Sequence, residues 1–422
     1  MPSHEPPTPG VLSSSDDPAA PAGIAPARLG FATRQLHAGD RAPGPHRPRA
    51  TPIYLTAGFE FEDFDQAHGR FAGTDDGYSY TRVGNPTNVA AEQRIADLES
   101  GVGALLVASG QAAVVTTILA LVSAGDHVLA SSSIYEGTRE LLRDDLARLG
   151  VAVDFIDDPN DLTAWDAGIR PRTRLVFAES IPNPQNDVLD IAGLAGVALR
   201  HGLPLVVDGG TFAWSAHADA YPQLARERGL DGRTYVERAP RTAFLDFARR
   251  VAMRYGPAPS PINAFLILQG IETLSLRVQR QSATALRLAR WLEDHPAVAS
   301  VDYSGLASSP HHELARRYLP RGQGSVFAVT LRGGRDAART FTDALRLFTR
   351  MTHLGDVRSL VLHPGTTTHV LRDEQQRSAS GIGPGLLRLS IGLEDADDLI
   401  ADLDHALAAV VAAELVTAGG AS

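Results

Sequence analysis

A glycine-containing turn at residues 109–111 could hold a phosphate group. Ser109, Gly110 and Gln111 lie between a predicted strand and a predicted helix. The first turn of a helix has free N–H groups and a partial positive charge, and a glycine lets a phosphate approach the backbone closely. An ordinary β–α turn that contains a glycine is the other interpretation of the same residues.

A polar and aromatic loop, YSYTRVGNPT at residues 78–87, precedes this turn in the sequence. The planar guanidinium of Arg82 could bind a phosphate or a carboxylate through two hydrogen bonds, and Tyr80 could add a hydroxyl group. A surface loop whose arginine forms a salt bridge is the alternative.

Two further candidate residues follow predicted strands. Asp208 ends the segment LPLVVD, at the position where doubly wound sheets place an acidic group against a cofactor. Its alternative role is to cap a helix or to lie in a loop. Tyr135 could stack on a flat ring, or it could pack against its neighbours.

The composition excludes several kinds of chemistry. The chain has 422 residues and no cysteine, so disulfides, thiolate nucleophiles and iron–sulfur clusters are absent and a cytoplasmic location is expected. The histidine groupings, His311 with His312 and His363 with His369, lack the helical spacing with a carboxylate that is typical of zinc enzymes, so no metal site is predicted. A net charge of -10 without a basic run argues against nucleic-acid binding.

Lysine is also missing from the sequence. All 39 residues counted as lysine or arginine are arginines. The coding bias of a GC-rich genome is one explanation for this composition. Such bias would usually leave a few lysines, particularly one that catalysis required.

Short apolar segments of β character alternate with helical segments between residues 103 and 208. Strands are predicted at residues 103–109, 127–132, 151–157, 173–180 and 203–208. Two of the intervening helices end at Gly150 and Gly202, where a C-cap favours glycine. Successive β–α units predict an α/β fold with a doubly wound, mainly parallel sheet.

A second region begins near Pro261, and apolar residues at helical spacing from Gly270 to His295 predict a long helix that enters a smaller domain. Two strands, 325–331 and 386–391, and two helices, at about 335–347 and 394–412, predict a smaller α+β domain. The predicted organisation is a disordered tail over 1–28, an N-terminal arm over 29–75, a large domain over 76–262 and a C-terminal domain over 263–422.

No segment has the pattern of a signal peptide or a membrane anchor. The first 28 residues are rich in Pro, Ala and Ser and lack the basic and apolar regions of a signal peptide. The uncharged stretch from Gly101 to Gly125 is interrupted by polar residues at 109–111, so it predicts a buried strand followed by a helix.

Eight sequence blocks between about Phe31 and Ala412 resemble one enzyme family. They are FATRQLHAG (31–39), GYSYTRVGNPT (77–87), ASGQAA (108–113), SSSIYEGT (131–138), ESIPNP (179–184), LPLVVD (203–208), SPINAFLILQGIETLSLRV (260–278) and LLRLSIGLED (386–395). Together they resemble the Cys/Met-metabolism enzymes of the type I pyridoxal-phosphate fold. The segment Asn263-Ala264-Phe265 favours the O-acetylhomoserine sulfhydrylase branch over the cystathionine synthases and lyases.

The resemblance implies a phosphate site built from two subunits. Gly110 and Gln111 would offer backbone N–H groups to the phosphate of pyridoxal phosphate. Tyr80 and Arg82 would reach the phosphate of a neighbouring subunit's cofactor, so a homodimer or homotetramer is expected.

The resemblance also implies roles around the cofactor ring and the amino-acid substrate. Tyr135 would stack on the pyridine ring, and Asn183 would contact the ring hydroxyl. Asp208 would keep the ring nitrogen protonated, which makes the ring an electron sink. Arg388 would bind the substrate carboxylate bidentately, and Tyr54 would lie near the substrate.

The sequence departs from this family after Asp208. In the family, several tens of residues follow this aspartate and include a Ser-x-Thr-Lys motif whose lysine holds pyridoxal phosphate as a Schiff base. Here LPLVVD continues directly into GGTFAWSAHADAY, which resembles the text that normally follows that motif. An internal block is therefore inferred to be missing at about 208/209, and Asp208 could belong to either side of the junction.

The missing lysine has a direct chemical consequence. A Schiff base needs a primary amine that can lose its proton, which arginine cannot do in a protein. Pyridoxal phosphate is therefore expected to bind non-covalently at most. Three hypotheses follow: a sulfhydrylase by descent with impaired turnover, an inactive scaffold that partners an intact paralogue, or a deletion product without a role.

Overall fold

The computed structural model describes residues 29–39, 48–182, 186–207, 220–228 and 232–419. These form two compact units. The first unit comprises the described residues up to Thr116 together with those from Pro222 to Thr273, and the second comprises Thr117–Tyr221 and the described residues from Leu274 onward. The domain boundaries drawn from the sequence stay predictions, and the predicted tail lies outside the described residues.

The helices and strands are numbered here in chain order. The helices are α1 (Phe31–His37), α2 (Phe64–Ala72), α3 (Pro86–Leu98), α4 (Gly110–Leu121), α5 (Glu136–Glu140), α6 (Leu146–Arg148), α7 (Leu162–Gly168), α8 (Ile191–Arg200), α9 (Pro222–Ala225), α10 (Tyr235–Arg238), α11 (Ala243–Tyr255), α12 (Pro261–Ile271), α13 (Leu274–Glu293), α14 (His312–Tyr318), α15 (Gly334–Ala344), α16 (Glu374–Ala379) and α17 (Ala396–Gly419). The strands are β1 (His127–Ser131), β2 (Ala152–Ile156), β3 (Thr173–Phe177), β4 (Leu205–Val206), β5 (Val298–Asp302), β6 (Val326–Leu331), β7 (Thr349–Arg350), β8 (Leu360–Leu362) and β9 (Leu386–Ser390).

The described part of the first unit is mainly helical. Asn85 caps α3, because its side chain accepts a hydrogen bond from the Thr87 N–H at 2.9 Å, and Pro86 fits the first helical position. Small buried residues of α3 and α12, Ala90, Ala91 and Ala264, let these two helices pack closely.

Four parallel strands of the second unit form a sheet in the order β2-β1-β3-β4. The residues of β1 and most residues of β3 are buried, as expected of apolar strands at the centre of a parallel sheet. Trp165 of α7 and Leu194 of α8 pack in the same core, and the indole N–H donates to the Pro159 carbonyl at 3.0 Å. This sheet confirms the α/β class.

The prediction of a strand at 103–109 was wrong. This segment forms no strand ladder, and its backbone donors have other partners: Leu106 N–H donates to the Glu92 carboxylate at 2.9 Å, and Ala108 N–H donates to the Pro257 carbonyl at 2.8 Å. An apolar segment becomes a strand only where a neighbouring strand pairs with it. The last predicted strand, 203–208, is likewise reduced to the two residues of β4.

A five-stranded mixed sheet in the second unit has the order β5-β6-β9-β8-β7. It confirms the predicted strands near 325–331 and 386–391, here β6 and β9, which pair antiparallel. Its other three strands were missed, because β7 and β8 have only two and three residues and β5 is only partly apolar. The predicted helices near 335–347 and 394–412 correspond to α15 and α17.

The two glycines predicted as helix C-caps have the expected backbone conformation. Gly150 has a φ of 77° and Gly202 a φ of 65°, in the left-handed region that favours glycine. Within the described ranges, no helix is both long and apolar enough to cross a bilayer.

Replacing Asp402 with alanine is expected to lower the free energy of unfolding by about 2–4 kcal/mol. Asp402 is a buried carboxylate on α17 that accepts hydrogen bonds from the backbone N–H groups of Arg346 and Leu347, both at 2.9 Å. Its loss would leave these donors unsatisfied. Urea denaturation measures the effect, and Asp404→Ala, at an exposed position on the same helix, is the control that should change little.

Candidate functional site

The predicted phosphate turn begins helix α4. Gly110 is the first residue of this helix, and the Ser109 hydroxyl accepts a hydrogen bond from the Ala112 N–H at 3.1 Å. A Cβ added at Gly110 would meet no atom within 4 Å, so the backbone is open at this point. The structure therefore places Gly110 and Gln111 at a helix N-terminus, as predicted, with room beside the first of them.

The loop that carries Tyr80 and Arg82 is held within the first unit by a backbone bridge and a side-chain hydrogen bond. Tyr80 pairs with Gly58 in an antiparallel bridge, and its side chain is 48% exposed. The Arg82 guanidinium donates to the Met253 carbonyl, and its central carbon lies 5.6 Å from the centre of the Tyr80 ring. Among the described residues Arg82 has no acidic partner, so the alternative of a salt-bridged arginine is not supported.

Tyr54 lies in the same hydrogen-bonded region as this loop. The Tyr54 N–H donates to the Thr87 hydroxyl at 3.0 Å, and its carbonyl accepts from the Asn85 side chain at 2.9 Å. Its side chain is exposed. The structure thus brings Tyr54, Tyr80 and Arg82 together, with their backbones fixed and their aromatic rings accessible.

Tyr135 is held at the start of α5 in the second unit. Its backbone N–H donates to the Glu179 carboxylate at 2.9 Å, while its ring is exposed. A fixed backbone with an exposed ring suits stacking on a flat ligand. The predicted cofactor residues Asn183 and Asp208 lie outside the described residues.

Arg388 is a buried cation that has no counter-ion among the described residues. Its side chain on β9 is only 3% exposed, and Nη2 donates to the carbonyls of Thr352 and His353 at 2.8 and 2.9 Å. In the part of the chain that the structure describes, Nε has no hydrogen-bond partner and no carboxylate lies within ion-pair distance. Burial lowers the pKa of Arg388. An unpaired buried charge is costly, so this position favours an anionic ligand.

A second group of charged residues in this unit was missed from the sequence. The Arg372 guanidinium donates to the Glu136 carboxylate, and both side chains are 12% exposed. His369 Nε2 lies 4.0 Å from the same carboxylate. Burial and the charge of Arg372 lower the pKa of His369, the charge of Glu136 opposes them, and the charge of Arg388 adds a smaller lowering. The only sequence signal was the position of Glu136 directly after Tyr135.

An ion pair joins His311 to Asp187, which lies shortly before α8. His311 Nε2 lies 3.1 Å from the Asp187 carboxylate. The hydrogen bond to Asp187 raises the pKa of His311, burial opposes it, and the charges of Asp187 and Asp158 add to the rise. A histidine with a raised folded-state pKa stabilises the protein at low pH and loses this contribution as pH rises through that pKa.

The variant His311→Gln is therefore expected to be less stable than the unchanged chain by about 1–2 kcal/mol between pH 5 and 6, where the histidine is charged in both states. The difference in unfolding free energy should begin to shrink above about pH 6.5, the unperturbed pKa of histidine. It should continue to shrink as the pH rises through the raised pKa of His311. Denaturation at a series of pH values measures it. His405→Gln, at an exposed position, is the control. A difference that grows towards alkaline pH would contradict the assignment.

The family model described as Cys/Met metabolism PLP-dependent enzyme matches residues 32–219 and 239–408. The chain belongs to this family. An O-acetyl-L-homoserine sulfhydrylase of Corynebacterium glutamicum is 36% identical over 425 residues, covering 90% of this chain and 97% of the relative. An O-succinylhomoserine sulfhydrylase of Pseudomonas aeruginosa is 39% identical over 393 residues, covering 90% of this chain and 96% of that enzyme.

A solved structure from Campylobacter jejuni has the same fold. It is a putative O-acetylhomoserine (thiol)-lyase that aligns with a TM-score of 0.84 and 30% identity, over 90% of this chain and 100% of its own. It is described as carrying a pyridoxyl-lysine phosphate, so in that protein the cofactor is bonded to a lysine. The match confirms the type I fold, and pyridoxal phosphate is the cofactor of the family.

Both sequence alignments leave positions that this chain does not fill. Ninety per cent of 422 residues is about 380, so about 45 of the 425 positions aligned with the C. glutamicum enzyme have no residue in this chain. About 13 of the 393 positions aligned with the P. aeruginosa enzyme likewise have no residue in this chain. The break between the two family-model matches falls at residues 220–238, shortly after the predicted junction.

The residues of this chain do not fit a covalently held pyridoxal phosphate. Such a bond needs a primary amine, and the only one in the sequence is the α-amino group of the chain terminus. All other nitrogen-containing cationic side chains that could stand in for lysine are arginines, whose guanidinium groups cannot be deprotonated in a protein. The chain therefore keeps its family's fold without its family's means of attaching the cofactor.

Proposed function

We propose that this chain is a sulfhydrylase-like protein without Schiff-base chemistry of its own. The observation that carries the proposal is the absence of lysine from all 422 residues. The relatives named as sulfhydrylases suggest descent from an enzyme that joins sulfide or a thiol to an O-acylated homoserine. The number of unfilled positions in the C. glutamicum alignment agrees with a missing block of several tens of residues, whereas the P. aeruginosa alignment leaves too few for one.

The proton chemistry of the family requires a group that this chain lacks. Bound pyridoxal phosphate supplies an electron sink for charge that develops at the amino-acid Cα. A positioned base must then remove the Cα proton, and such a group contributes roughly 10²–10⁴-fold in rate. The retained Arg388, buried and with an unpartnered Nε among the described residues, can bind and orient a carboxylate. His369 is buried, and burial and the charge of Arg372 lower its pKa, so its neutral form is favoured.

Exchange of the Cα hydrogen with D2O tests this proposal without any assumption about acyl group or thiol. L-methionine, pyridoxal phosphate and the purified chain are followed by proton NMR, with pyridoxal phosphate alone as the background. The expected exchange rate equals the background. Acceleration that depends on the concentration of the chain would refute the proposal.

A second role is favoured by the intact loop of Tyr80 and Arg82. The loop keeps its hydrogen bonds, and the Tyr80 ring is exposed, so the chain has the residues it would lend to the cofactor site of an intact paralogue. Co-expression of the chain with a lysine-containing relative, followed by size-exclusion chromatography, tests this role. Stable mixed oligomers would support a partner subunit. A chain that is insoluble and unable to associate would instead agree with a deletion product.

A further inference from the structure

Residues 103–107 of the first unit have strand-like hydrogen bonds along one edge. The backbone groups of every second residue are bonded within this unit: Leu106 N–H donates to the Glu92 carboxylate at 2.9 Å, Ala108 N–H donates to the Pro257 carbonyl at 2.8 Å, and the Ala104 carbonyl accepts from Arg249 at 3.1 Å. In an extended chain, alternate residues present their N–H and C=O groups to the same edge. Two side chains and a loop therefore stand where a neighbouring strand would pair.

The opposite edge of this segment is unpaired. Among the residues that the structure describes, none forms a hydrogen bond with the backbone of Leu105 or Val107. Both residues are partly exposed. Natural proteins protect such edges with charges, prolines or bulges, and the sequence from 102 to 109 contains neither a charge nor a proline. The segment thus keeps a free row of backbone donors and acceptors.

Helices pack on the segment and leave its edge as the side that can receive a partner. Leu106 packs against the apolar core shared by α3 and α12. Gly103 lies on the opposite face, since successive side chains of an extended segment alternate, and a Cβ added there would come within 2.5 Å of the Leu245 side chain on α11. The ligand that matches the free edge is an extended polypeptide, whose own backbone offers alternating donors and acceptors.

We propose that residues 103–107 bind a β-strand of a second polypeptide, taken from the block that this chain lacks and that a lysine-containing relative retains. The C. glutamicum relative has about 45 aligned positions without a residue here, more than the five or six residues of an average strand. Segment 103–109 has the sequence of a strand but no strand partner in the described ranges. The inference rests on the proposed function, which holds that this block is missing.

A second copy of this chain fits the free edge less well than a single strand does. Each of residues 103–107 is only partly exposed, so the edge is recessed beside the helices that pack on it. Paired strands lie about 4.8 Å apart, so one added strand needs little space. A whole second copy would have to bring its own flanking helices equally close. The recess therefore favours a strand that is free of its own fold, such as a peptide.

Hydrogen exchange of the full chain, resolved to single residues by mass spectrometry, tests the proposal. In the chain alone, the amides of Leu105 and Val107 should exchange at least about tenfold faster than those of Leu106 and Ala108, after correction for intrinsic rates. A synthetic peptide of the C. glutamicum block that corresponds to the position after Val207 should slow the first two amides at least about tenfold and leave the other two unchanged. A scrambled peptide should have no effect.

Four results of this experiment would overturn the proposal. The first is protection of Leu105 and Val107 in the dilute chain alone, which would mean that the edge is already paired. The second is that the block peptide slows neither amide, and the third is that the scrambled peptide slows them equally. The fourth is slowing that rises with the concentration of the chain without any peptide, which would identify a second copy as the occupant.

Two substitutions at one position test whether the backbone edge itself binds the peptide. Leu105→Pro removes the free N–H, whereas Leu105→Ala keeps it. Because this N–H has no partner in the described chain, the proline breaks no existing hydrogen bond. It should weaken binding of the labelled block peptide at least about tenfold, while the alanine variant should bind within about threefold of the unchanged chain. Equal affinity of the proline variant and the unchanged chain would contradict the proposal.

Thermal unfolding checks that both variants fold, and the exchange pattern of the unchanged chain decides the matter if one does not. This proposal and the proposed function fail separately, because the Cα exchange experiment contains no peptide. A peptide that does not bind leaves the lack of Schiff-base chemistry untouched. Accelerated Cα exchange by the chain alone would refute the proposed function without any bearing on the hydrogen exchange of Leu105 and Val107.

Discussion

The purified chain, supplied with pyridoxal phosphate, O-acetyl-L-homoserine and sulfide, is expected to form homocysteine at least about 10⁴-fold more slowly than the C. glutamicum sulfhydrylase under the same conditions. This factor is the upper end of what a positioned acid/base group contributes, and this chain also lacks the amine that would hold the cofactor in place. Its retained binding residues cannot replace either function.

Several controls make this comparison decisive. Pyridoxal phosphate with both substrates but no protein gives the uncatalysed rate, and the C. glutamicum enzyme shows that the assay detects turnover. Preparations should be analysed by mass spectrometry for a co-purified lysine-containing relative, because a trace of one would imitate activity. A pure chain that works at a rate within about tenfold of the relative would contradict the account, since that difference corresponds to only about 1.4 kcal/mol in the barrier.

Insertion of the corresponding block of the C. glutamicum enzyme after Val207 is expected to restore covalent attachment of pyridoxal phosphate and to raise turnover by at least about 10³-fold. The fold, the phosphate turn at α4 and Arg388 are already present. The insert would supply the amine and also apolar segments that could extend the sheet beyond β4, which is now only two residues long.

The control for this chimera is the same insert with alanine in place of its lysine. Both inserts should fold equally well, which circular dichroism and thermal unfolding would show. Only the lysine insert should bind the cofactor covalently and turn over. If both chimeras fold and show the same cofactor binding and turnover, the missing lysine does not explain the low activity of this chain.

Local patterns were sufficient to predict much of the fold. Residues 127–132, 151–157 and 173–180 are apolar and end at turn signals, and they form β1, β2 and β3. Segment 103–109 has the same pattern but no strand ladder, because strand formation depends on a partner that local sequence does not encode. The very short β7 and β8 exist only through pairing in the second sheet, so no periodicity could reveal them.

The residues of the candidate site were likewise predictable from the sequence only in part. Gly110 and Tyr80 were found because a turn and an aromatic loop are visible in short stretches of sequence. The importance of Arg388 came from the resemblance, and only the three-dimensional structure shows that no described residue is its counter-ion. Glu136 and Arg372 are 236 residues apart, so no local pattern predicts that they form a buried pair.

Borohydride reduction of the chain with pyridoxal phosphate, followed by peptide mass spectrometry, tests the central claim most directly. We expect that no internal side chain carries a reduced pyridoxyl group, while a lysine of the C. jejuni protein, whose solved structure contains a pyridoxyl-lysine phosphate, carries one in a parallel reaction. Labelling confined to the terminal α-amino group would agree with this chemistry. A pyridoxyl group on any residue within the chain would contradict it.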